Sequence, residues 1–550
     1  MKIKCDKSRH IVMTLKSGKV RMAANVSESL SLYLISLARL IGKELLKMDY
    51  LFLLLALSFL GICIHFLTRN LAAWKFGPVT LPPGPRPFPV LGNILALGKK
   101  PHQALTKLSK TYGPILTLKL GSLTTIVISS PEIAKEAFHK HDQALSSRTI
   151  MDSLRALDHH KFSIVYLPVS PPWRNLRKVC AIKIFSTKRL DASQAIRRKK
   201  VLELLGYVQE NCNSGSAVDI GQAAFTTVLN SLSNTFFSID LAHHESDLSQ
   251  SFRELACSIM EEAGNPNLAD YFPILQFVDP QGSRKRMTSY IARVFGIFDG
   301  IINQRLQVRA SSTECKEIDD VLDSLLNLVE ESSSEFSFND IKHLLLDLLF
   351  AGIDTTSSTV EWAMAELLQN PEKLAKAQNE LRGLVGMDGI DKIVEDFALS
   401  RFPYLQAIVK ETLRLHPPVP FLVPHKAETE VDICGFRVTK NAQILVNIWA
   451  MGRDSNIWAN PNSFMPKRFS EREIDVNGQD FELIPFGAGR RICPGLSMAN
   501  RMLHLMLASL LYTFDWKLVD GLKPSEVDMS EKFGLTLHKA EPLLAVPIKP

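Results

Sequence analysis

The residue whose setting most demands a chemical reason is Cys493. It lies in PFGAGRRICPG, Pro485–Gly495, after a glycine-rich loop with two arginines and before a long apolar segment. The preceding cysteine is Cys434, so the sequence offers no partner at the short spacing of a disulfide pair or zinc cluster. Downstream, Leu496, Ala499, Leu503, Leu507, Leu510 and Phe514 fall on one helical face. The sulfur therefore sits at the positive end of a helix, with Arg490 and Arg491 close in sequence, and both features favour thiolate over thiol. Gly487, Gly489 and Gly495 remove side chains where amides approach the sulfur or a flat ligand lies against the chain. A lone thiolate so placed and shielded by Phe486 suits an axial ligand of haem iron. A buried, inert cysteine is the competing reading, and it leaves the arginines and glycines without a purpose.

Two other constellations stand out. In LLFAGIDTTSST, Ala351-Gly352 is weak in helix propensity, and Asp354, Thr355 and Thr356 are poor interior choices. The Thr355 hydroxyl lies one turn from the Ala351 carbonyl, where a bond would open the helix locally. Helix packing by a glycine with capped threonines is the alternative. In KETLRLHPPVP, Glu411 and Arg414 are three apart on one helical face and able to pair. An ordinary surface pair of this kind contributes little.

These residues need a scaffold, and the chain is long enough to bury one. Its 550 residues are 46% hydrophobic and 22% charged. Most segments carry helical periodicity, which predicts a mainly α (α+β) domain with a small β portion over residues 90–550. Ile115–Ser129 reads as two strands around a Gly121-Ser122 turn, and a second strand pair is expected over Val431–Val438 and Gln443–Ile448. The strongest helix begins with Ser337 as N-cap and Asp340 three residues on, and Asn370-Pro371 stops it. Eight scattered cysteines without a CxxC pair point to a reducing compartment.

The formal charge of +7 is confined to residues 1–47, with ten Lys/Arg and three Asp/Glu; the remainder balances, so nothing suggests nucleic acid. YLFLLLALSFLGICIHFL, Tyr50–Leu67, is near the minimum for a membrane-spanning helix, with a core helix or a signal peptide as alternatives. This predicts an anchor over 48–70. The proline-rich stretch ending in LPPGPRPFP makes 71–89 a stiff hinge. A +7 segment ahead of the span conflicts with a body on the cytosolic side. A start at Met48 removes the conflict, so residues 1–47 read as an upstream extension without fixed structure, or alternatively as a transit peptide.

FGAGRRICPG matches the signature F-x-x-G-x-R-x-C-x-G of the cytochrome P450 superfamily at every fixed position. LPPGP, WRNLR (Trp173 to Arg177), AGIDTT (Ala351 to Thr356) and Glu411-x-x-Arg414 follow the family's other marks in order. The chain resembles that superfamily from Met48 to Pro550 and, more narrowly, its plant geraniol hydroxylase-like group. The narrower likeness lies in LDHHKFSIVYLP, NPNLADYFPILQFVDPQG and FGLTLHKAEPL. MPKRF departs from the family's Pro-Glu-Arg-Phe by placing Lys467 beside Arg468, which resembles the partner of Glu411 and Arg414.

The resemblance implies a haem b enzyme with Cys493 on the iron, drawing on O2 and on NADPH through a cytochrome P450 reductase. It implies Asp354 and Thr355 as the proton relay, with Ala351 and Gly352 leaving room for oxygen. Trp173, Arg177, His425 and Arg491 are the implied partners of the haem propionates. Val419, Phe421, Leu422, Val423 and Leu535 are the expected pocket for a small apolar substrate, a terpenoid such as a monoterpene alcohol. The basic residues Arg174, Lys178, Lys183, Lys188 and Arg189 suit docking of an acidic reductase, or are simply a solvated helix face. The expected location is the endoplasmic reticulum membrane, single-pass, with the catalytic domain facing the cytosol. Rival readings are a phenolic, alkaloid or diterpene substrate, a peroxide-rearranging haem-thiolate enzyme, which needs no acid–threonine pair, and a haem sensor.

Overall fold

A computed structural model describes residues 50, 52–53, 55–56, 59–60, 81–244, 247–311, 320–331, 336–385 and 401–550. The chain divides into two units, Met1–Val79 and Thr80–Pro550. In the first, the described residues between 50 and 60 are helical and exposed. The expected extension, and most of the expected anchor, lie outside the described residues. Among the described residues no helix is long and apolar enough to cross a membrane.

The second unit is helix-rich with small sheets. Strands β1 (Ile115–Leu120) and β2 (Leu123–Ile128) form the expected hairpin, with Leu120 opposite Leu123. Gly121 takes a φ of 56°, which a side chain disfavours. β3 (Ser147–Arg148) follows. Helices α1 (Pro171–Val179), α2 (Ile220–Phe237) and α3 (Asp247–Gly264) precede the long α4 (Phe338–Gln369). Then come α5 (Pro403–Leu415), β4 (His425–Lys426), β5 (Gln443–Val446) and α6 (Leu496–Thr513). The main sheet runs in the order β1-β2-β5-β4-β3, with β2 and β5 parallel.

That order corrects one expectation. Val431–Ile433 and Phe436–Val438 pair with each other, turning through Cys434 and Gly435 at positive φ, while β5 leaves to join β2. Proximity in sequence suggested a pair; the apolar face of Ile444 and Val446 is buried instead against the older hairpin.

α4 starts as the spacing predicts. Ser337 caps it, the Asp340 N–H donating to Ser337 Oγ and the Ser337 N–H to Asp340 Oδ2 at 2.8 Å. At 32 residues it is about 48 Å long. Leu344, Leu345, Leu349, Val360, Ala363 and Met364 are fully buried, so α4 runs through the core, packing most extensively on α2.

Candidate active site

The cysteine loop is held by its own backbone. The Cys493 N–H donates to the Phe486 carbonyl at 3.0 Å, and Ile492 N–H to Gly489 at 3.1 Å. Gly489 has a φ of 66°, and a Cβ there would lie 2.8 Å from Asp142 Oδ1. α6 begins directly after Gly495, and the Gly495 and Leu496 amides bond the sulfur. The neighbouring arginines differ from the expectation. Arg490 is exposed and pairs with Asp142 at 2.5 Å, and Arg491 turns away toward carbonyls. Burial pushes the Cys493 thiol up; the two amides and Arg177 pull the other way without overcoming it. Burial thus disfavours the anion here, and a cation bound at the sulfur would favour it.

Cys493 opens on a cavity also walled by Phe486 and Gly495, by Leu348, Ala351, Gly352 and Thr355 of α4, and by Val419, Leu422 and Val423. Phe421 lies elsewhere, packed beside Phe533 with ring centroids 6.0 Å apart, and Leu535 packs on the core, its N–H bonded to Met260. Gly352 has a packing role as well: a Cβ there would lie 2.8 Å from Leu232 of α2. Ala351 is the exposed small residue at this point of the wall.

One end of the cavity is cationic. Arg148, Arg177, His425 and Arg491 line it together with Trp173. Arg491 donates to Ser146 O at 2.8 Å and stacks over Trp173 at 4.5 Å. Arg177 reaches the Ile492 carbonyl at 2.9 Å and so ties α1 to the cysteine loop. Trp173 gives its indole N–H to Ile164 O at 3.0 Å, and His425 Nδ1 lies 2.7 Å from Leu145 O. Among the described residues no carboxylate ion-pairs with Arg148, Arg177 or Arg491. Burial and mutual repulsion lower Arg148 to about 9 and Arg491 to about 10, and hold His425 well below its ordinary value. Arg148 was not legible in the sequence: SSRTI carries no motif, and only the pairing of β3 with β4 brings it here. Its buried Nε has no hydrogen-bond partner.

α4 is not opened at its centre, contrary to expectation. Thr355 Oγ1 donates to the Ala351 carbonyl at 2.7 Å, and Thr359 Oγ1 to Thr355 O at 2.8 Å, within an unbroken helix. Each hydroxyl takes a carbonyl already on its own face, so no bond need be lost. Thr355 faces the cysteine cavity, whereas Asp354, 2% exposed, faces a second, polar cavity on the other side of α4. There its carboxylate accepts from Thr536 Oγ1 at 2.5 Å and lies 3.2 Å from His538 Nε2. Burial disfavours the charged imidazole, but Asp354 outweighs that and raises His538 above its ordinary value.

The comparisons agree with this geometry. The family described as Cytochrome P450 matches residues 82–545. "Cytochrome P450 76T24" of Catharanthus roseus is 53% identical over 496 residues, covering 90% of this chain and 98% of that protein. "Geraniol 8-hydroxylase" of the same plant is 51% identical over 503 residues, 91% and 99% of the two chains. "Cytochrome P450 76AD1" of Beta vulgaris is 52% identical over 501 residues, again 91% and 99%. The chain belongs to the cytochrome P450 family.

This P450 is a monooxygenase, working with haem on a cysteine thiolate, dioxygen and reductase-derived electrons. The residues present fit the haem. Three arginines without counter-charge, one with an orphaned Nε, are poised for a dianionic ligand such as paired propionates. In this P450 Glu411 and Arg414 are not a surface pair; both are at most 1% exposed. Arg414 Nε and Nη2 donate to the two Glu411 oxygens at 2.7 and 2.8 Å, and Arg468 Nε joins at 3.1 Å. Lys467 points outward, 73% exposed, and faces Glu471 at 3.1 Å, which absorbs its charge. On α1 the P450 presents Arg174 and Lys178 to solvent, and Lys188 lies exposed just beyond.

Proposed function

We propose that this P450 hydroxylates a small terpenoid, such as a monoterpene alcohol. The observation that carries the reading is the part of the cavity beside Cys493 away from its cationic end, walled by the apolar Val419, Leu422, Val423, Leu348 and Leu232. The similarity to proteins named geraniol 8-hydroxylase supports it. In this reading Cys493 ligates the iron, and Arg148, Trp173, Arg177, His425 and Arg491 hold the propionate end. The bound haem supplies activation of dioxygen, with the thiolate donating electron density. Ala351 and Gly352 keep the helix surface low, and Phe486 and Gly495 cover the sulfur. Thr355 would present its hydroxyl to the cysteine cavity, and Asp354, whose carboxylate lies on the other face of α4 with Thr536 and His538, would supply protons only by turning from those partners. Reconstituted with a plant reductase and NADPH, the enzyme is expected to convert geraniol-class alcohols. Turnover of phenolics but no terpenoid would overturn the substrate reading.

Thr355→Ala is expected to retain haem yet lower product per NADPH about tenfold or more, the lost electrons leaving as hydrogen peroxide. Unchanged coupling would remove the role. Arg148→Leu removes a charge-assisted bond of about 2 kcal/mol, so haem is expected to dissociate roughly 30-fold more readily. The check is haem transfer to apomyoglobin.

In the same reading the protein is anchored in the endoplasmic reticulum membrane by residues 48–70, hinged at 71–89, and takes electrons from NADPH–cytochrome P450 reductase at the basic face of α1. The apolar run Tyr50–Leu67 and the exposed Arg174, Lys178 and Lys188 support this. The extension 1–47 is not part of the working enzyme, as its +7 charge ahead of the anchor argues. Native protein with residues 1–47 intact at its N-terminus would contradict that.

A further inference from the structure

The second cavity holds an arrangement of which the proposed haem chemistry uses Asp354 alone. Cys257 on α3, Asp354 on α4 and His538 on the strand Leu537–Lys539 converge there, their donor atoms all within 4.8 Å of one another. They come from three separate elements, so the convergence is a product of the tertiary fold.

We propose that Cys257, Asp354 and His538 form a binding site for a zinc-class divalent cation. A tetrahedral zinc ion with bonds of about 2.0 Å to nitrogen or oxygen and about 2.3 Å to sulfur separates its ligands by roughly 3.3–3.5 Å. His538 Nε2 and Asp354 Oδ2 are already 3.2 Å apart, one edge of such a tetrahedron. The sulfur completes a face by a movement on the order of 1 Å. Sulfur, imidazole and carboxylate together select zinc-like ions over magnesium or calcium, which take all-oxygen sets. The polar cavity leaves room for water as a fourth ligand. Thr536 Oγ1 donates to this same Asp354 oxygen at 2.5 Å and lies 2.8 Å from His538 Nε2, so a metal on that edge would require the hydroxyl to turn aside.

The nearby cations are already engaged. Arg253 pairs with Asp219 at 3.0 Å and lies 3.9 Å from Glu361, Lys532 pairs with Glu261, and Lys539 donates to the Asp528 carbonyl. The remaining Glu361 is buried and accepts the Leu543 N–H at 3.0 Å. Occupancy would commit the Asp354 carboxylate to the metal. The effect on turnover rests on the relay reading of Asp354; the binding itself does not.

The test uses chelator-washed holoenzyme dialysed against zinc chloride, with zinc and haem iron counted by elemental analysis. One zinc per haem is expected, with affinity at least tenfold weaker in Cys257→Ser and in His538→Gln, each checked for CO-binding haem. In the unmutated enzyme, zinc is expected to slow alkylation of Cys257 at least tenfold and leave Cys212 unaffected, a readout that needs no variant. No retained zinc, or alkylation of Cys257 unchanged by zinc, overturns the site. Loss of turnover on zinc binding is expected; zinc retained with full turnover would uphold the site and overturn the relay role of Asp354.

Discussion

Glu411→Ala protein is expected not to accumulate as haem-loaded enzyme. The fully buried Glu411 carboxylate accepts two bonds from Arg414, one from Arg468 and one from the Met465 N–H at 2.6 Å. Removing it leaves a buried guanidinium with no counter-charge, a loss of about 3–5 kcal/mol. Domains of this kind have a total stability of about 5–15 kcal/mol, so a large share goes at one position. Arg414 also donates to the Pro461 and Ser463 carbonyls at 2.7 and 3.2 Å, and to Gly452, tying the helix Pro403–Leu415 to the loop segments at 452 and 461–463. The damage should therefore reach the haem site as well as the global fold. The check is CO-binding haem per milligram of purified protein, with the denaturant midpoint of whatever folds. A variant with normal haem content and midpoint would show that the network is dispensable.

How much of this was legible beforehand depended on the range of the interaction. The Ser337–Asp340 capping box, the Gly121 turn and the Thr355–Ala351 bond each close within four residues, and the structure holds all three. Glu411 and Arg414 were readable as a pair, but their burial was not, because it depends on segments some fifty residues later. Arg490 and Arg491 are adjacent and chemically alike, yet one meets Asp142 in solvent and the other is buried among carbonyls. Their side-chain chemistry does not distinguish them; only the family signature does, its fixed arginine falling on Arg491. The place of Arg148 and the partner of β5, whose strand itself was expected, were missed for the same reason: each is set by strand pairing across hundreds of residues. Asp354 is a different case. Successive helical residues point about 100° apart, so neighbours 354 and 355 facing different cavities follows from helix geometry. What the sequence did not reveal was that Cys257, Thr536 and His538 would be waiting on the far side.

The central claim is that Cys493 binds haem iron as a thiolate. Burial pushes its thiol up, the Gly495 and Leu496 amides and Arg177 oppose that, and a bound metal cation would favour the anion further. A serine oxygen at this position is a far weaker donor and holds its proton more firmly. Cys493→Ser is accordingly expected to lose monooxygenase turnover entirely, even where some haem is retained. The decisive measurement is the absorption spectrum of the dithionite-reduced protein under carbon monoxide. The unmutated enzyme should show the red-shifted Soret band after which the family is named, and Cys493→Ser should lack it; absence of the band from the former, or its persistence in the latter, would contradict the account.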